Sequence, residues 1–390
     1  MSLTEVGHQG FAQRLIQKAV TRDRVPHAYL FHGPDGVGKE MLAGGLAQLL
    51  LCESPVDRSL QGATASFVGV DSLRMGCGTC ADCRSVTARS HPDLHVIYRQ
   101  LNREHPDADV RKRKALEIGV DVLRCFIIDK VGLTAHRGRA KVFLIREADR
   151  ITPQAQNALL KTLEEPPGAT FLILLVESLD RLLPTTLSRC QVVRFDALPT
   201  TFVSGKLAAL RSALPAPQQN WYARIAEGSI GQALEKSDDA LFDVNTRLAT
   251  GLMSLMSSSS ESADPGVFIK SVTEEAEALA EGFRQRDPEI TDTEATRRGL
   301  QSLFQLTATC LADALRSGSG ASPPPINEHL REELKRLAEV VSPRRLMEGV
   351  RRLAGAQRQL DLNANTQLVV ETLVNDLARL PDHQRVSSLT

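Results

Sequence analysis

Residues 27–40 read HAYLFHGPDGVGKE, and this stretch decides the fold of the first half of the chain. Its first part, 27–33, predicts a short buried strand that runs into a glycine-rich turn, and an apolar run at 41–51 predicts the helix that follows. This order of strand, loop and helix is the context that a phosphate-binding loop requires. Glycines let backbone N–H groups converge on a phosphate, and the helix N-terminus adds partial positive charge. The predicted phosphate-binding residues are Gly33, Gly36, Gly38 and Lys39.

Four more apolar, β-branched runs follow along the chain. They are HVIY at 95–98, KVFLI at 141–145, TFLILLVES at 170–178 and QVVRF at 191–195. Helical patterns lie between them, for example at 119–131 and 152–164. Strands that alternate with helices imply a parallel sheet covered by helices, so the predicted fold class is α/β. From about residue 199 onward the pattern is helical.

The predicted phosphate loop lacks two features of a working magnesium site. A hydrolytic loop has Ser or Thr after the lysine, because that hydroxyl ligates Mg²⁺, but this chain has Glu40. The strand at 141–145 should end in an acidic pair, and it runs instead into Arg146 and Glu147. Glu147 keeps the position of the water-activating carboxylate, whereas Arg146 would repel a metal ion. We therefore predict no intrinsic ATP hydrolysis, while passive occupation of the loop by a nucleotide or phosphate stays open.

The seven cysteines include a cluster with metal-ligand spacing. Cys77, Cys80 and Cys83 follow a C-x2-C-x2-C pattern, which puts three thiolates on one tight turn. Structural Zn²⁺ takes four ligands in a tetrahedron at about 2.3 Å, and Cys52 at the end of the predicted helix is the natural fourth. We predict a structural zinc site formed by these four cysteines. A metal-free knuckle and a redox dithiol are the alternatives.

Composition narrows the classes of function. The chain has 390 residues, of which 42% are hydrophobic, and this is enough for two or three domains with substantial cores. Its 47 basic and 47 acidic residues balance and its aromatic content is 4%, which argues against a free-standing nucleic-acid binder. There is no apolar stretch of about 18 residues and no signal-peptide pattern. We expect a cytoplasmic protein without membrane contact, whose cysteines are metal ligands or core residues.

Three further strings carry a resemblance to a known family. They are HPDLH at 91–95, NALLKTLEEPP at 157–167 and SRC at 188–190. Together with the phosphate loop and the cysteines, they resemble the AAA+ clamp-loader subunits of bacterial DNA polymerase III, and among these the delta-prime type. The resemblance covers roughly residues 8–235, and it reaches the C-terminal region only through the helical pattern.

The resemblance implies roles for two further residues. In the hydrolysing subunits of the family, a Gly-Ser-x-Arg pattern in the lid supplies an arginine that contacts nucleotide, and here Gly231 takes that position. This loss, added to Glu40 and Arg146, implies the non-hydrolysing delta-prime type. Arg189 of the SRC string is implied to act as an arginine finger on the ATP of a neighbouring subunit. The alternative for Arg189 is a structural ion pair with a carboxylate of its own chain.

The resemblance also implies domains and partners. An AAA+ domain with the zinc module would span 1–197, a helical lid 198–241 and an all-helical collar that oligomerises 242–390. The partners would be the gamma/tau and delta subunits, with the sliding clamp and primer–template DNA reached through the complex. As a component of DNA polymerase III, the chain would be classed with DNA-directed DNA polymerases, which are nucleotidyltransferases.

Two other interpretations stay open. One is an active clamp-loader ATPase of the gamma/tau type with unusual metal ligands, and the other is a zinc-containing nucleic-acid-binding protein with a vestigial phosphate loop.

Two departures from the family pattern bear on the predicted sites. A polar insertion at 99–117 carries a basic run at 111–114, which is either a solvated face or a contact to DNA or a partner. The spacer from Cys52 to Cys77 is longer than is usual in the family, so whether Cys52 is the fourth ligand stays open.

Overall fold

A computed structural model of the chain forms two compact units. It describes residues 3, 6–60, 69–137, 139–257, 264–319 and 325–380. The N-terminal unit consists of Met1–Phe202 with Glu227–Gln232, and the C-terminal unit consists of Val203–Ala226 with Ala233–Thr390. The division into three domains at 197/198 and 241/242 stays a prediction.

A five-stranded parallel sheet is the framework of the N-terminal unit. The strands in chain order are β1 (Ala28–His32), β2 (Val56–Ser59), β3 (Ser72–Met75), β4 (Leu94–Ile97), β5 (Lys141–Ile145), β6 (Thr170–Val176) and β7 (Gln191–Arg194). The sheet has the order β4-β5-β6-β1-β7 with parallel neighbours, while β2 and β3 form a separate antiparallel hairpin. Strands β5 and β6 are buried along almost their whole length, as expected of a parallel sheet with both faces covered. The predicted α/β class and its five strands are confirmed.

Helices and single turns connect these strands. In chain order they are α1 (Gly10–Thr21), α2 (Lys39–Leu51), α3 (Ala81–Thr87), a 3₁₀ segment (Arg99–Glu104), α4 (Ala108–Arg111), α5 (Val120–Leu123) with a π segment (Arg124–Ile128) and α6 (Asp129–Val131), a 3₁₀ turn (Ala148–Arg150), α7 (Pro153–Glu164) and α8 (Pro184–Leu187). Helix α7 begins where the Thr152 hydroxyl accepts the N–H of Ala155 with proline in the first turn, and it ends just before Pro166. Leu159 and Leu163 on α7 pack into the core formed by the sheet.

The parallel arrangement places the candidate functional residues at one edge of the sheet. The carboxyl ends of parallel strands meet at the same edge, which is where open α/β sheets bind ligands. The glycine-rich loop follows β1, Arg146 and Glu147 follow β5, and Glu177 follows β6. Because β5, β6 and β1 are neighbours in the sheet, these residues come together although up to about 140 positions separate them in the sequence.

The C-terminal unit is built from helices. The helices that follow β7 are α9 (Thr200–Leu210), α10 (Ala216–Ile225), α11 (Ile230–Asp238), α12 (Leu241–Ser257), α13 (Pro265–Arg286), α14 (Asp292–Ser319), a 3₁₀ turn (Glu328–Leu330), α15 (Arg331–Val340), α16 (Pro343–Asp361) and α17 (Thr366–Arg379). The all-helical character predicted for this region is confirmed for its described residues. None of the described helices combines the length and the apolar character that a bilayer-spanning segment needs.

A buried polar network ties the helices of the C-terminal unit together around Asn327. Its side-chain oxygen accepts hydrogen bonds from Trp221 Nε1 at 2.8 Å and from Asn245 Nδ2 at 2.9 Å. Its own N–H groups, backbone and side chain, both donate to Asp313 Oδ2, at 2.8 and 2.9 Å. Asn327, Asn245 and Asp313 are fully buried. Buried polar groups of this kind stabilise a fold only when every member has a partner.

Replacing Asn327 with alanine is therefore expected to lower the free energy of unfolding by about 3–5 kcal/mol, because it strands several buried polar groups at once. Chemical denaturation of the purified chain measures this change. Asn220→Ala is the matched control, since Asn220 is exposed and its oxygen accepts one hydrogen bond from Ser204 at 2.7 Å. Equal destabilisation by the two variants would show that the Asn327 network contributes nothing special.

Candidate nucleotide and metal sites

The predicted phosphate loop has the backbone conformation of a phosphate-binding loop, but its lysine is hydrogen-bonded to the loop itself. Gly33, Gly36 and Gly38 all have positive φ, at 148°, 68° and 104°, and Gly38 is the residue before α2. Lys39, which is 7% exposed, donates from Nζ to the carbonyl oxygens of Gly33 and Pro34, both at 2.7 Å. The lysine that would reach a phosphate is thus bound to the loop's own carbonyl groups.

The charges of three carboxylates act on the Lys39 amine. Burial lowers the pKa of Lys39, and the charges of Asp35, Glu177 and Asp149 oppose that shift by raising it. Burial raises the pKa of Glu177, and the neighbouring Asp35 and Asp149 raise it further. The lysine that would reach a triphosphate is therefore influenced by acidic groups, none of which was predicted from the sequence as a site residue, Glu177 included. Its position directly after β6 is the signal that could have identified it.

The backbone of residues 230–231 lies directly against the phosphate loop. The N–H groups of Ile230 and Gly231 donate to the carbonyl oxygen of Gly36, at 3.2 and 3.3 Å. A Cβ on Gly36 would lie 2.5 Å from the Gly231 nitrogen, and a Cβ on Gly231 would lie 2.8 Å from Gly36 Cα. Gly231 stands where the hydrolysing relatives are expected to have arginine, and this close backbone contact leaves no room for a side chain there.

The two departures from a magnesium site, Glu40 and Arg146, form an ion pair with each other. Arg146 Nη2 donates to Glu40 Oε1, and Arg89 Nη2 donates to the same oxygen at 2.8 Å. The side chains of Glu40 and Arg146 are 36% and 28% exposed. Each was predicted separately as the loss of a metal ligand, but the structure shows that one replacement neutralises the other. Arg89 is the third residue of this ion-paired group, and no motif in the sequence indicated it.

Glu147, predicted to keep the position of a water-activating carboxylate, is held by arginine. Arg99 Nε lies 3.2 Å from Glu147 Oε1, and Arg150 Nε lies 3.6 Å from the same atom. Glu147 has a left-handed backbone with φ of 47°. Arg99 is 7% exposed and belongs to the 3₁₀ segment at the start of the polar insertion, so no motif in the sequence assigned it to this site.

The four predicted cysteine ligands come together. Their Sγ atoms all lie within 4.8 Å of one another, with Cys52–Cys80 at 4.0 Å and Cys77–Cys83 at 3.9 Å. Sulfurs bound at about 2.3 Å to one tetrahedral ion lie about 3.8 Å apart, so the separations in the cluster are close to those of a four-thiolate metal site. Such a closed set of four ligands is typical of structural rather than catalytic zinc.

Backbone N–H groups point at the sulfurs of this cluster. The N–H of Cys77 donates to Cys52 Sγ at 3.2 Å, that of Cys80 to Cys77 Sγ at 3.3 Å, and that of Cys83 to Cys80 Sγ at 3.3 Å. The Cys80 N–H is the largest cause that lowers the pKa of the Cys77 thiol to about 6, whereas burial raises the pKa of Cys52 and Cys83. Donors of this kind favour thiolates, which are the form that binds metal.

The β2–β3 hairpin explains how Cys52 reaches the other cysteines across a long spacer. The two strands pair from Val56–Met75 to Ser59–Ser72, so the chain leaves Cys52 and returns directly to Cys77. The hairpin was not predicted from the sequence, because β2 has the exposed sequence VDRS without alternating apolar residues. The longer spacer therefore forms an added hairpin and does not separate Cys52 from the cluster.

The HPD string at 91–93 anchors the cysteine cluster to the rest of the unit. His91 Nδ1 accepts the N–H of Asp93 at 3.0 Å, so its Nε2 carries the hydrogen and donates to the buried Asp82 at 3.3 Å. Arg137 Nη1 lies 3.1 Å from the same Asp82 oxygen. The Asp93 carboxylate accepts the backbone N–H groups of His136 and Arg137 at 2.7 and 2.9 Å. Asp82 lies between two cysteine ligands, and neither it nor Arg137 was predicted.

Arg189 of the SRC string forms an ion pair within its own chain. Its Nε donates to Glu164 Oε1 at 2.5 Å, its Nη2 contacts the same carboxylate, and its Nη1 donates to the Thr185 carbonyl oxygen at 2.8 Å. The Arg189 and Glu164 side chains are 31% and 47% exposed. This is the in-chain pairing that sequence analysis named as the alternative role, and the role as a finger on a neighbouring site stays a prediction.

The basic run at 111–114 lies at the surface of the polar insertion. All four side chains are exposed. Lys112 pairs with Asp109 at 3.2 Å and Arg113 pairs with Asp121 at 2.9 Å. Exposed pairs of this kind are typical of a solvated face and contribute about 0–1 kcal/mol each.

Comparison with known proteins identifies the family. A family model described as DNA polymerase III, delta subunit, matches residues 8–199, and one described as DNA polymerase III, delta subunit, C terminal, matches residues 294–379. The two matched ranges together span well over half of the chain. The chain belongs to the DNA polymerase III delta-subunit family. The resemblance to bacterial clamp-loader subunits that the sequence motifs indicated is thereby confirmed.

Individual relatives in this family include both delta-prime and tau subunits. DNA polymerase III subunit delta-prime of Bacillus subtilis is 31% identical over 194 residues, 50% of this chain and 49% of that protein. The delta-prime subunit of Pseudomonas aeruginosa is 38% identical over 206 residues, 52% of each protein. The tau subunit of Escherichia coli is 31% identical over 245 residues, 62% of this chain and 33% of that protein. The chain spans about half the length of the delta-prime relatives that it matches.

Proposed function

We propose that this chain is a non-hydrolysing clamp-loader component of the delta-prime type, which takes part in loading the ring-shaped sliding clamp onto primed DNA during replication. Its partners would be the gamma/tau and delta subunits, and it would reach the clamp and DNA through the assembled complex. Membership of the DNA polymerase III delta-subunit family supports the assignment to this assembly. The site geometry supports the non-hydrolysing role.

The observation that carries the non-hydrolysing role is the Glu40–Arg146 ion pair. In a working loop the corresponding positions supply a hydroxyl to Mg²⁺ and a carboxylate that holds it through water. Here a carboxylate and a guanidinium neutralise each other, so the protein supplies the positive charge that a metal would bring. A divalent cation would meet Arg146 and Arg89 at this position, and it would have to break both contacts to Glu40.

Two further features support the same role. Lys39 is bound to its own loop, and the amides of residues 230–231 are bound to the Gly36 carbonyl. The charges of Asp35, Asp149 and Glu177 act on the Lys39 amine, where phosphates would bring further negative charge. The loop would therefore act as a fixed part of the scaffold and not as a nucleotide-binding switch.

For the cysteine cluster we propose a structural Zn²⁺ held by Cys52, Cys77, Cys80 and Cys83. Four thiolates fill the tetrahedron and leave no open position for a substrate, so the ion would stabilise the fold without taking part in a reaction. The contacts of Asp82 and of the Cys52 carbonyl, which accepts Arg139 Nη1 at 2.5 Å, would couple the metal to the segment before β5. Partners of this outer kind orient metal ligands.

The remaining role is that of Arg189, which we propose to act on the ATP of a neighbouring subunit. A guanidinium is always charged and matches phosphate oxygens in pairs. The local site contains a lysine bound to its own loop and an ion pair in place of magnesium, so it offers this arginine no nucleotide to serve. Arg189 is partly exposed on the short turn between α8 and β7, where a second subunit can approach it.

The purified chain is expected to show no Mg²⁺-dependent ATP turnover above background, because its metal position is filled by the Glu40–Arg146 pair. A coupled ATPase assay with and without Mg²⁺ measures this. The same preparation, added to the clamp-loader ATPase subunits, should raise ATP-dependent loading of the sliding clamp onto primed DNA, which shows that the protein is active. Turnover by the isolated chain that depends on Mg²⁺ and disappears in Lys39→Met would overturn the non-hydrolysing role.

A further inference from the structure

Every nitrogen of the Arg189 guanidinium already has a partner in its own chain. Nε and Nη2 both face the Glu164 carboxylate, and Nη1 donates to the Thr185 carbonyl oxygen at 2.8 Å and lies 3.4 Å from Ser188 Oγ. An arginine grips a phosphate with two parallel N–H groups, either Nε with Nη2 or Nη1 with Nη2. Each of these two edges is engaged, so a phosphate cannot take a two-point contact until Glu164 or the turn releases the guanidinium.

Glu164 does not stabilise the helix to which it belongs. Glu164 is the last residue of α7, where a negative side chain opposes the helix dipole. The helix cannot continue past it, because Pro166 and Pro167 follow. Its carboxylate is thereby fixed beside the turn that carries Arg189, and arginine is its one ion-pair partner among the described residues.

We propose that Glu164 is a latch on the finger: it holds Arg189 inside the free subunit and is displaced by the phosphates of a neighbouring nucleotide. This inference rests on the proposed in-trans role of Arg189. The pair is well suited to exchange, because a half-exposed carboxylate–guanidinium contact contributes little net stability. A triphosphate carries more negative charge than one carboxylate. It therefore replaces Glu164 as the partner of the Arg189 guanidinium once the neighbouring subunit comes into contact. Glu164 is thus a positioning residue that sets when the finger is available.

The latch predicts that Glu164→Gln raises activity where Arg189→Ala lowers it. In a complex reconstituted with the clamp-loader ATPase subunits, Glu164→Gln should raise ATP turnover in the absence of clamp and DNA by about two- to fivefold, the factor that corresponds to losing an exposed ion pair. Glu165→Gln is the matched control, since it removes the same charge one residue along, where none of the described residues forms an ion pair with it. The double variant Glu164→Gln/Arg189→Ala should behave like Arg189→Ala.

A second readout on the isolated chain does not depend on any partner. The Nε–H of Arg189, assigned by its loss in Arg189→Ala, should be protected from hydrogen exchange in the wild-type chain and exchange about two- to fivefold faster in Glu164→Gln. An Nε–H without protection in the wild type would overturn the latch directly.

The outcomes separate the latch from the function on which it rests. If Arg189→Ala leaves turnover of the complex unchanged, the in-trans role fails and the latch fails with it. If Arg189→Ala lowers turnover and Glu164→Gln lowers it too or leaves it unchanged, the in-trans role stands and the latch is wrong. Elevated turnover in Glu164→Gln that persists in the double variant would also overturn it, because the effect would then not pass through Arg189.

Discussion

Replacing Cys80 with serine is expected to abolish metal binding by the cysteine cluster and to lower the free energy of unfolding of the N-terminal unit by about 4 kcal/mol or more, since loss of a structural metal is among the largest single-residue effects. The Cys80 sulfur lies 4.0 Å from that of Cys52 and accepts the N–H of Cys83, so it links both ends of the cluster. Structural zinc binds with about 10–16 kcal/mol in small zinc fingers, and zinc bound by these four cysteines would couple that energy to the local fold.

Elemental analysis and thermal unfolding measure the two effects of Cys80→Ser. The wild-type chain should contain about one Zn²⁺, and Cys80→Ser should contain almost none and unfold at a lower temperature. Cys125→Ser is the control. Cys125 lies outside the cluster, so this variant should keep its metal. A metal-free wild-type chain that is as stable as the metal-bound one would show that the cluster has no structural role.

Arg189→Ala is expected to slow ATP-dependent clamp loading by the reconstituted complex by about tenfold or more while the chain still folds and assembles. An in-trans arginine finger is worth ~10³–10⁵ in rate at the site that it serves. The loss for the whole complex is smaller, because its other ATP sites keep their own arginines. Folding should be little affected, since the pair with Glu164 is partly exposed.

The chemistry of the guanidinium provides the test of specificity for Arg189. Arg189→Lys should not restore loading, because an ammonium cannot make the two-point contact with phosphate. Arg194→Ala is the matched control: Arg194 is a nearby exposed arginine paired with Asp196 at 2.8 Å, and its loss should leave loading unchanged. Normal loading by Arg189→Ala complexes would mean that the arginine serves only its own chain.

The sequence predicted which residues of the nucleotide site are altered, but not how they interact. Glu40 and Arg146 were each interpreted as the loss of a metal ligand, and their positions after the loop and after β5 place them at one sheet edge by topology alone. The ion pair between them depends on side-chain direction, which periodicity does not encode. Arg89 and Arg99 complete these contacts from short segments without any motif, so only the three-dimensional structure could identify them.

The cysteine cluster shows a second limit of sequence reasoning. The spacing of Cys77, Cys80 and Cys83 predicted three ligands on one turn, and this turn is what the structure contains. Whether Cys52 is the fourth ligand was left open because of the long spacer. The hairpin of β2 and β3 brings its sulfur within 4.8 Å of the other three, and its role as a ligand stays a prediction. Strand β2 is exposed and has no apolar alternation, and the alternation in β3 spans only the four residues SLRM, so neither strand gave a sufficient signal in the sequence.

The measurement that tests the central claim most directly compares Lys39→Met with Arg189→Ala in otherwise identical reconstituted complexes. Its readout is ATP-dependent loading of the clamp onto primed DNA, with assembly checked by co-purification. If the chain serves a neighbouring ATP site and hydrolyses none itself, Lys39→Met complexes load clamps at the wild-type rate and Arg189→Ala complexes load them about tenfold more slowly or worse. The reverse pattern, with loading lost in Lys39→Met and kept in Arg189→Ala, would contradict the account, because the chain's own phosphate loop would then be the working site.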